Sequence, residues 1–102
     1  MANLIVSAMA RADLATIQQY LREEAGTATA QHYAAQFADT IEGLKTCPGI
    51  GAPRPSLGDN TRIVMVLPYL IFYDYDAVFD RIVVVRVLHG RRNITEQLLQ
   101  RS

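Results

Sequence analysis

Apolar residues recur along this chain with two different periods, and the change from one to the other divides it. After a short apolar run at Leu4, Ile5 and Val6, too short for anything but a strand, Ala10, Leu14, Ile17 and Leu21 fall at i, i+4, i+7 and i+11. That spacing places them on one face of a helix. Ser7 stands where an N-cap belongs, and Arg11, Asp13, Gln18, Arg22 and Glu23 lie off the apolar face. Gly26 suits the end of this helix, and Thr27 or Thr29 can cap the next. A second stripe follows at Ala30, Tyr33, Ala34, Phe37, Ile41 and Leu44. Two helices joined by so few residues fold back on each other as an antiparallel hairpin.

From Cys47 the pattern breaks. Pro and Gly at 48, 49, 51, 53, 55 and 58 predict a long loop reaching Asn60. Beyond it, Arg62–Leu67, Tyr69–Asp74 and Arg81–Leu88 are rich in β-branched and aromatic residues and predict three strands. Pro68 marks the first turn and Ala77–Asp80 the second, and such short links imply antiparallel neighbours. The order β-α-α-β-β-β predicts an α+β domain, a helical hairpin packed on one face of an antiparallel sheet.

Strict alternation along the last strand puts Val83, Val85, Val87 and His89 on one face, and Ile82, Val84, Arg86 and Leu88 on the other. An arginine in so apolar a strand is costly unless it meets water or a carboxylate, so Arg86 is expected on the face away from the helices. Both faces of the sheet read as apolar, yet two helices cover only one. Val64, Val66, Leu70, Phe72, Ile82, Val84 and Leu88 are therefore expected to leave an exposed patch of the kind that marks a protein–protein surface. The bland alternative covers it with the first strand and the C-terminal segment.

Composition changes this picture little. The 102 residues are half apolar, enough for one domain spanning 1–102 with a core of its own. Ten basic and ten acidic residues cancel, so net charge demands no nucleic-acid partner. Residues 1–46 hold three basic and five acidic groups, and residues 47–102 hold seven arginines and five acids. Cys47 is the lone cysteine, which fits a reducing compartment. With no signal-like N-terminus and no run of about 18 apolar residues, the expected location is the cytoplasm, without membrane contact.

Candidate chemistry is confined to the end of the last strand, where Arg86, His89, Arg91 and Arg92 gather. They read either as a basic site for an anionic group or acidic segment, or as a solvated turn with His89 packed. Asp74, Asp76 and Asp80 fail as a calcium loop, because Phe79 stands where a glycine is needed and no glutamate closes the loop. A hairpin turn that also restrains Arg81 or Arg86 is the better reading. His32 has no second ligand at i+4, and no phosphate loop, dinucleotide fingerprint or zinc pattern is present. No metal and no cofactor are expected.

An early run of Val6, Ser7, Ala10, Asp13, Leu14, Ile17 and Tyr20, then Pro48, Gly51, Arg54, Arg62, the stretch Pro68–Tyr73 and the strand Ile82–His89 running into Gly90, Arg91 and Arg92, resembles the ParE/RelE superfamily of toxins. These are the poison halves of toxin–antitoxin pairs, in the branch also described as plasmid stabilisation proteins. The resemblance covers nearly the whole chain and implies two alternative activities. RelE-like members are ribosome-dependent mRNA endonucleases, whose cations hold the scissile phosphate while an acid–base residue manages the 2′-hydroxyl. For that reading the catalytic residues would be Arg86, His89 and Arg92. The tail after Arg92, NITEQLLQRS, has no tyrosine, histidine or phenylalanine, and the sequence departs from the RelE pattern there. ParE-like members are binding proteins that poison DNA gyrase and are neutralised by a ParD-like antitoxin. This branch fits better and implies a non-enzymatic toxin with no sequence-specific nucleic-acid contact. It places toxicity at His89, Arg91, Arg92, Leu98 and Leu99, and antitoxin binding at Val64, Val66, Leu70, Phe72, Val84, Arg86 and Leu88. An inactive, antitoxin-binding relative is a third reading.

Overall fold

The computed structural model describes residues 1–99. The elements run β1 (Asn3–Val6), α1 (Ala8–Ala25), α2 (Thr27–Gly43), β2 (Ala52–Pro53), β3 (Thr61–Val66), β4 (Tyr69–Asp76), β5 (Arg81–His89) and α3 (Glu96–Leu99). Ser7 caps α1 as expected, its Oγ accepting from the Ala10 N–H at 3.0 Å. The same hydroxyl donates to the Val85 carbonyl at 2.9 Å, so the helix start is bolted to β5. Gly26, at φ +92°, ends α1 and is also the N-cap of α2. Neither Thr27 nor Thr29 caps α2: one glycine serves both helices, and the threonines lie inside the second.

The sheet order is β1-β5-β4-β3-β2. The three predicted strands pair antiparallel in sequence order, as their short links require. β1 lies parallel to β5, which the long connection through two helices permits. β2 falls in the stretch read from sequence as a loop, and α3 in the C-terminal segment, to which the sequence reading assigned no element. β2 is two residues, paired as Ala52↔Ile63 and Pro53↔Arg62, and is too short to carry a period.

The register corrects the reading of β5. Phe72 pairs with Arg86, but Tyr73 pairs with Val84, so Val85 is an extra residue in a β-bulge. The alternation therefore slips by one there. Ile82, Val84 and Val87 lie beneath the helices, whereas Val83, Val85 and Leu88 face the other way. A bulge leaves no mark on the hydrophobic pattern of a strand that is apolar throughout.

Two apolar layers result. Between helices and sheet lie Ala10, Phe37, Ile41, Leu44, Ile71, Tyr73, Ile82, Val84 and Val87. Against the opposite face, Leu57 from the loop and Ile94, Leu98 and Leu99 from the C-terminal segment pack on Phe72, Val85 and Leu88. Phe72 and Leu99 are fully buried, and burying side chains of this size stabilises by about 1.5–3 kcal/mol each. The expected exposed patch is thus not exposed. Val66, Phe72, Ile82, Val84 and Leu88 are buried, and Val64 and Leu70 are half-buried. Nor do they share a face: Val64, Val66, Ile82 and Val84 pack on the helix side, and Leu70, Phe72 and Leu88 on the other. The C-terminal part of the bland alternative is what forms; β1 instead lies in the plane of the sheet.

Candidate functional site

β1 pairs with β5 only as far as Val6↔Val84, so the outer edge of β5 would be open beyond that point. The Ser7 N–H closes one position, donating to the Val84 carbonyl at 3.0 Å. Asp13, nearly two turns into α1, closes another, its Oδ2 accepting from the Val87 N–H at 3.0 Å. The same carboxylate takes two bonds from Arg86: Nε donates to Oδ2 at 2.7 Å and Nη2 to Oδ1 at 2.8 Å. Nη1 of Arg86 donates to the Leu98 carbonyl at 2.6 Å. The side chains of Arg86 and Asp13 are only 10% and 14% exposed, so this forked pair sits largely out of water. The Asp13 hydrogen bond holds the guanidinium above its ordinary pKa, with burial pulling the other way.

Arg86 does lie across from Phe72, on the face away from the helices. Its head nevertheless reaches round the edge to a carboxylate on α1. Of the two arginines that the β4–β5 hairpin was expected to restrain, Arg86 is held by Asp13 and Leu98 and not by the hairpin. Asp76 instead accepts from the N–H groups of Val78 and Phe79, Asp80 at φ +50° accepts from the Tyr75 hydroxyl, and Asp74 accepts from Thr61. The Arg81 guanidinium stacks over Phe79 at 5.8 Å.

His89 stands opposite Tyr69, ring against ring edge-on at 5.7 Å. Its Nδ1 accepts from the Arg91 N–H at 3.1 Å, and the Gly90 N–H closes the turn on the Pro68 carbonyl at 2.8 Å. Tyr69 also meets Tyr33 and Phe37 at 5.9 and 5.6 Å, both edge-on, an arrangement favoured by the ring quadrupoles. Burial, helped by Tyr20 and Tyr33, raises the Tyr69 phenol above its usual pKa. Tyr33, Pro68, Tyr69 and His89 line a groove of about 590 Å³, walled by α1 through Ile17, Tyr20 and Leu21. Arg92 stands on its rim.

Residues 4–94 match the sequence profile of the family described as ParE toxin of type II toxin-antitoxin system, parDE. The chain belongs to the ParE toxin family. It is 32% identical to the toxin ParE1 of Caulobacter vibrioides over 93 residues, 91% of this chain and 94% of that one. A structure titled as the chromosomal ParDE toxin–antitoxin system of P. aeruginosa superposes with a TM-score of 0.72. The match is 21% identical and covers 87% of this chain and 96% of the other. A chain of the Mycobacterium tuberculosis RelBE2 toxin-antitoxin complex superposes with a TM-score of 0.65 at 19% identity, covering 86% and 96%. Both share the two-helix, twisted-sheet architecture, which is the RelE/ParE-like fold expected from the sequence.

In this ParE-family chain the five residues read from sequence as the toxic surface separate into two groups. Arg91 and Arg92 are exposed and His89 is half-buried, all at one end of the sheet. Leu99 is fully buried and Leu98 half-buried against the second apolar layer, so neither offers a free side chain. Their role is to cover Phe72, Val85 and Leu88. The set Arg86, His89 and Arg92 is divided as well. His89 and Arg92 line the groove, while the Arg86 guanidinium is turned to Asp13 and Leu98.

Several residues that carried the family resemblance act in the scaffold. The Tyr73 hydroxyl accepts from the Gly51 N–H at 2.9 Å and donates to the Pro48 carbonyl at 2.7 Å. A Cβ on Gly51 would lie 2.6 Å from that hydroxyl oxygen, which is why only glycine fits. Arg62 Nη1 donates to the Gly49 and Gly51 carbonyls at 3.0 and 2.7 Å, securing the same loop to β3. The groove-lining role of Tyr20, Tyr33 and Tyr69 went unread in the sequence. Tyr33 fell on an apolar helix stripe and Tyr69 in a strand, where an aromatic residue reads simply as core.

Proposed function

We propose that this ParE-family toxin acts by binding DNA gyrase rather than by catalysis, and that a ParD-like antitoxin neutralises it in the cytoplasm. The supporting observation is the state of Arg86. A phosphate-cleaving site needs an uncommitted cation facing the scissile group. Arg86 is the buried cation of this region, and its Nε, Nη1 and Nη2 all donate within the chain. The deciding assay is gyrase supercoiling and cleavage-complex formation, with toxin alone and with toxin plus antitoxin. Inhibition that antitoxin relieves is the expected result, and unaffected gyrase would overturn the reading.

A second reading, RelE-type mRNA endonuclease activity on the ribosome, draws on one arrangement. His89, Tyr69 and Arg92 line the same groove, side chains of the acid–base type beside a cation. For a gyrase binder, neither the unaltered toxin nor its His89→Ala variant is expected to cleave mRNA on ribosomes. Abolished toxicity, together with lost mRNA cleavage on ribosomes, would transfer the assignment to the nuclease.

A further inference from the structure

We propose that the tip of the β4–β5 hairpin is the element with which this toxin grips its protein target. Val78 and Phe79 enter an apolar pocket of that target, and lysine or arginine on the pocket's rim meets the acidic root of the hairpin. This rests on the gyrase reading above and says which part of the toxin gyrase meets.

Three observations select the occupant. The first is exposure without a structural reason. Val78 is 87% exposed and Phe79 70%, two neighbouring large apolar side chains at the end of a hairpin. Turns ordinarily place small or polar residues there. This turn does not need their side chains, because other groups make its bonds. Asp76 accepts from the backbone N–H groups of both residues, and Asp80, at φ +50°, accepts from the Tyr75 hydroxyl. The apolar surface continues on β1, where the half-exposed Ile5 lies beside Val83 on the face away from the helices.

The second is shape and rigidity. The Asn3 N–H donates to the Asp80 carbonyl at 2.9 Å, which ties the turn to β1 as well as to its own strands. A knob held in this way has little freedom left to lose on binding. It is convex and needs a hole already formed. A folded protein provides one, whereas a segment that orders only as it binds does not.

The third is charge. At the root of the hairpin lies a hollow of about 390 Å³. Its charged lining, among the described residues, is the carboxylates of Asp59, Asp74, Asp76 and Glu96 against the one guanidinium of Arg81. Such a surround attracts a basic rim. A nucleic-acid backbone, an anionic lipid surface and a second copy of this hairpin would each bring negative charge to negative charge. A folded protein with an apolar pocket and basic neighbours is the partner that satisfies all three observations.

The test uses the full toxin, the gyrase holoenzyme and the product of the reading frame adjacent to the toxin gene. Affinities are measured by biolayer interferometry, and cleavage complexes are scored on supercoiled plasmid. Val78→Ser and Phe79→Ser are each expected to weaken gyrase binding at least about tenfold and to lower cleavage-complex yield in step. Asp59→Lys, in the exposed loop beside the hollow, should slow association with gyrase several-fold. Antitoxin affinity should stay unchanged in all three. Met65→Ser, which removes an exposed apolar side chain from β3, should change neither binding. The altered side chains are exposed, and unchanged thermal melts would confirm that the variants fold. Full gyrase affinity in both Val78→Ser and Phe79→Ser would overturn the hairpin tip while leaving the gyrase reading intact. No gyrase binding by the unaltered toxin would overturn that reading and the tip with it. Weakened antitoxin binding at undiminished gyrase affinity would assign the tip to the antitoxin and overturn the proposal. Sedimentation of the toxin with phosphatidylglycerol vesicles, lost in Phe79→Ser, would assign the tip to lipid and overturn it too.

Discussion

Asp13 serves two masters, closing the β5 edge through the Val87 N–H and holding the Arg86 guanidinium in a fork. Removing one partner of a largely buried pair leaves the other charge without compensation. Asp13→Ala should therefore cost about 3 kcal/mol, read as a lower urea midpoint with unchanged slope. Tyr73 gives a pH prediction. Burial raises its phenol above 10.0, with the Gly51 N–H and Arg62 pulling down less strongly. Because the folded value exceeds the unfolded one, this contribution is whole below about pH 10 and is lost as pH rises through the folded value. Alkaline unfolding should accordingly be blunted in Tyr73→Phe. That variant should also lose about 1–3 kcal/mol at neutral pH, since it strands the Gly51 N–H and the Pro48 carbonyl. At this scale the sequence was partly legible. It required that Arg86 find water or a carboxylate, but several acids were available, and choosing Asp13, 73 positions away, needed the fold.

The helices and the main strands were readable because each carries its own period and its own stops. Ser7 and Gly26 bound α1, and Pro68 separates β3 from β4, as local stereochemistry demands. The bulge at Val85 was not readable, because a uniformly apolar strand gives no phase from which a slip can be detected. The C-terminal α3 was missed for a related reason. Four residues make one turn, whose stability comes from what it covers rather than from its own propensity. Leu99→Ala should therefore act as a core deletion, costing about 2–5 kcal/mol and speeding amide exchange at Phe72, Val85 and Leu88. Native exchange rates there would mean that the C-terminal turn is a decoration on the sheet.

For the whole molecule, the order of elements and the resemblance running from Val6 to Arg92 led to the ParE family, and the family match over residues 4–94 and the fold agree with it. The candidate site was only half legible. His89, Arg91 and Arg92 do gather at one end of the sheet, because they are neighbours in sequence on a strand end and its turn. The apolar patch expected to be exposed is covered instead, because exposure is a property of what packs on a face, and the chain supplies that cover from Leu57, Ile94, Leu98 and Leu99. Hydrophobic periodicity by itself determined which of the longer segments become helix or strand, since that depends on neighbours a few residues away. Tertiary structure alone decided which face stays open, which cation is spent on which carboxylate, and where tyrosines 20, 33 and 69 converge. Those outcomes depend on contacts across tens of residues, where many pairings satisfy the same pattern and only packing and hydrogen-bond closure select one.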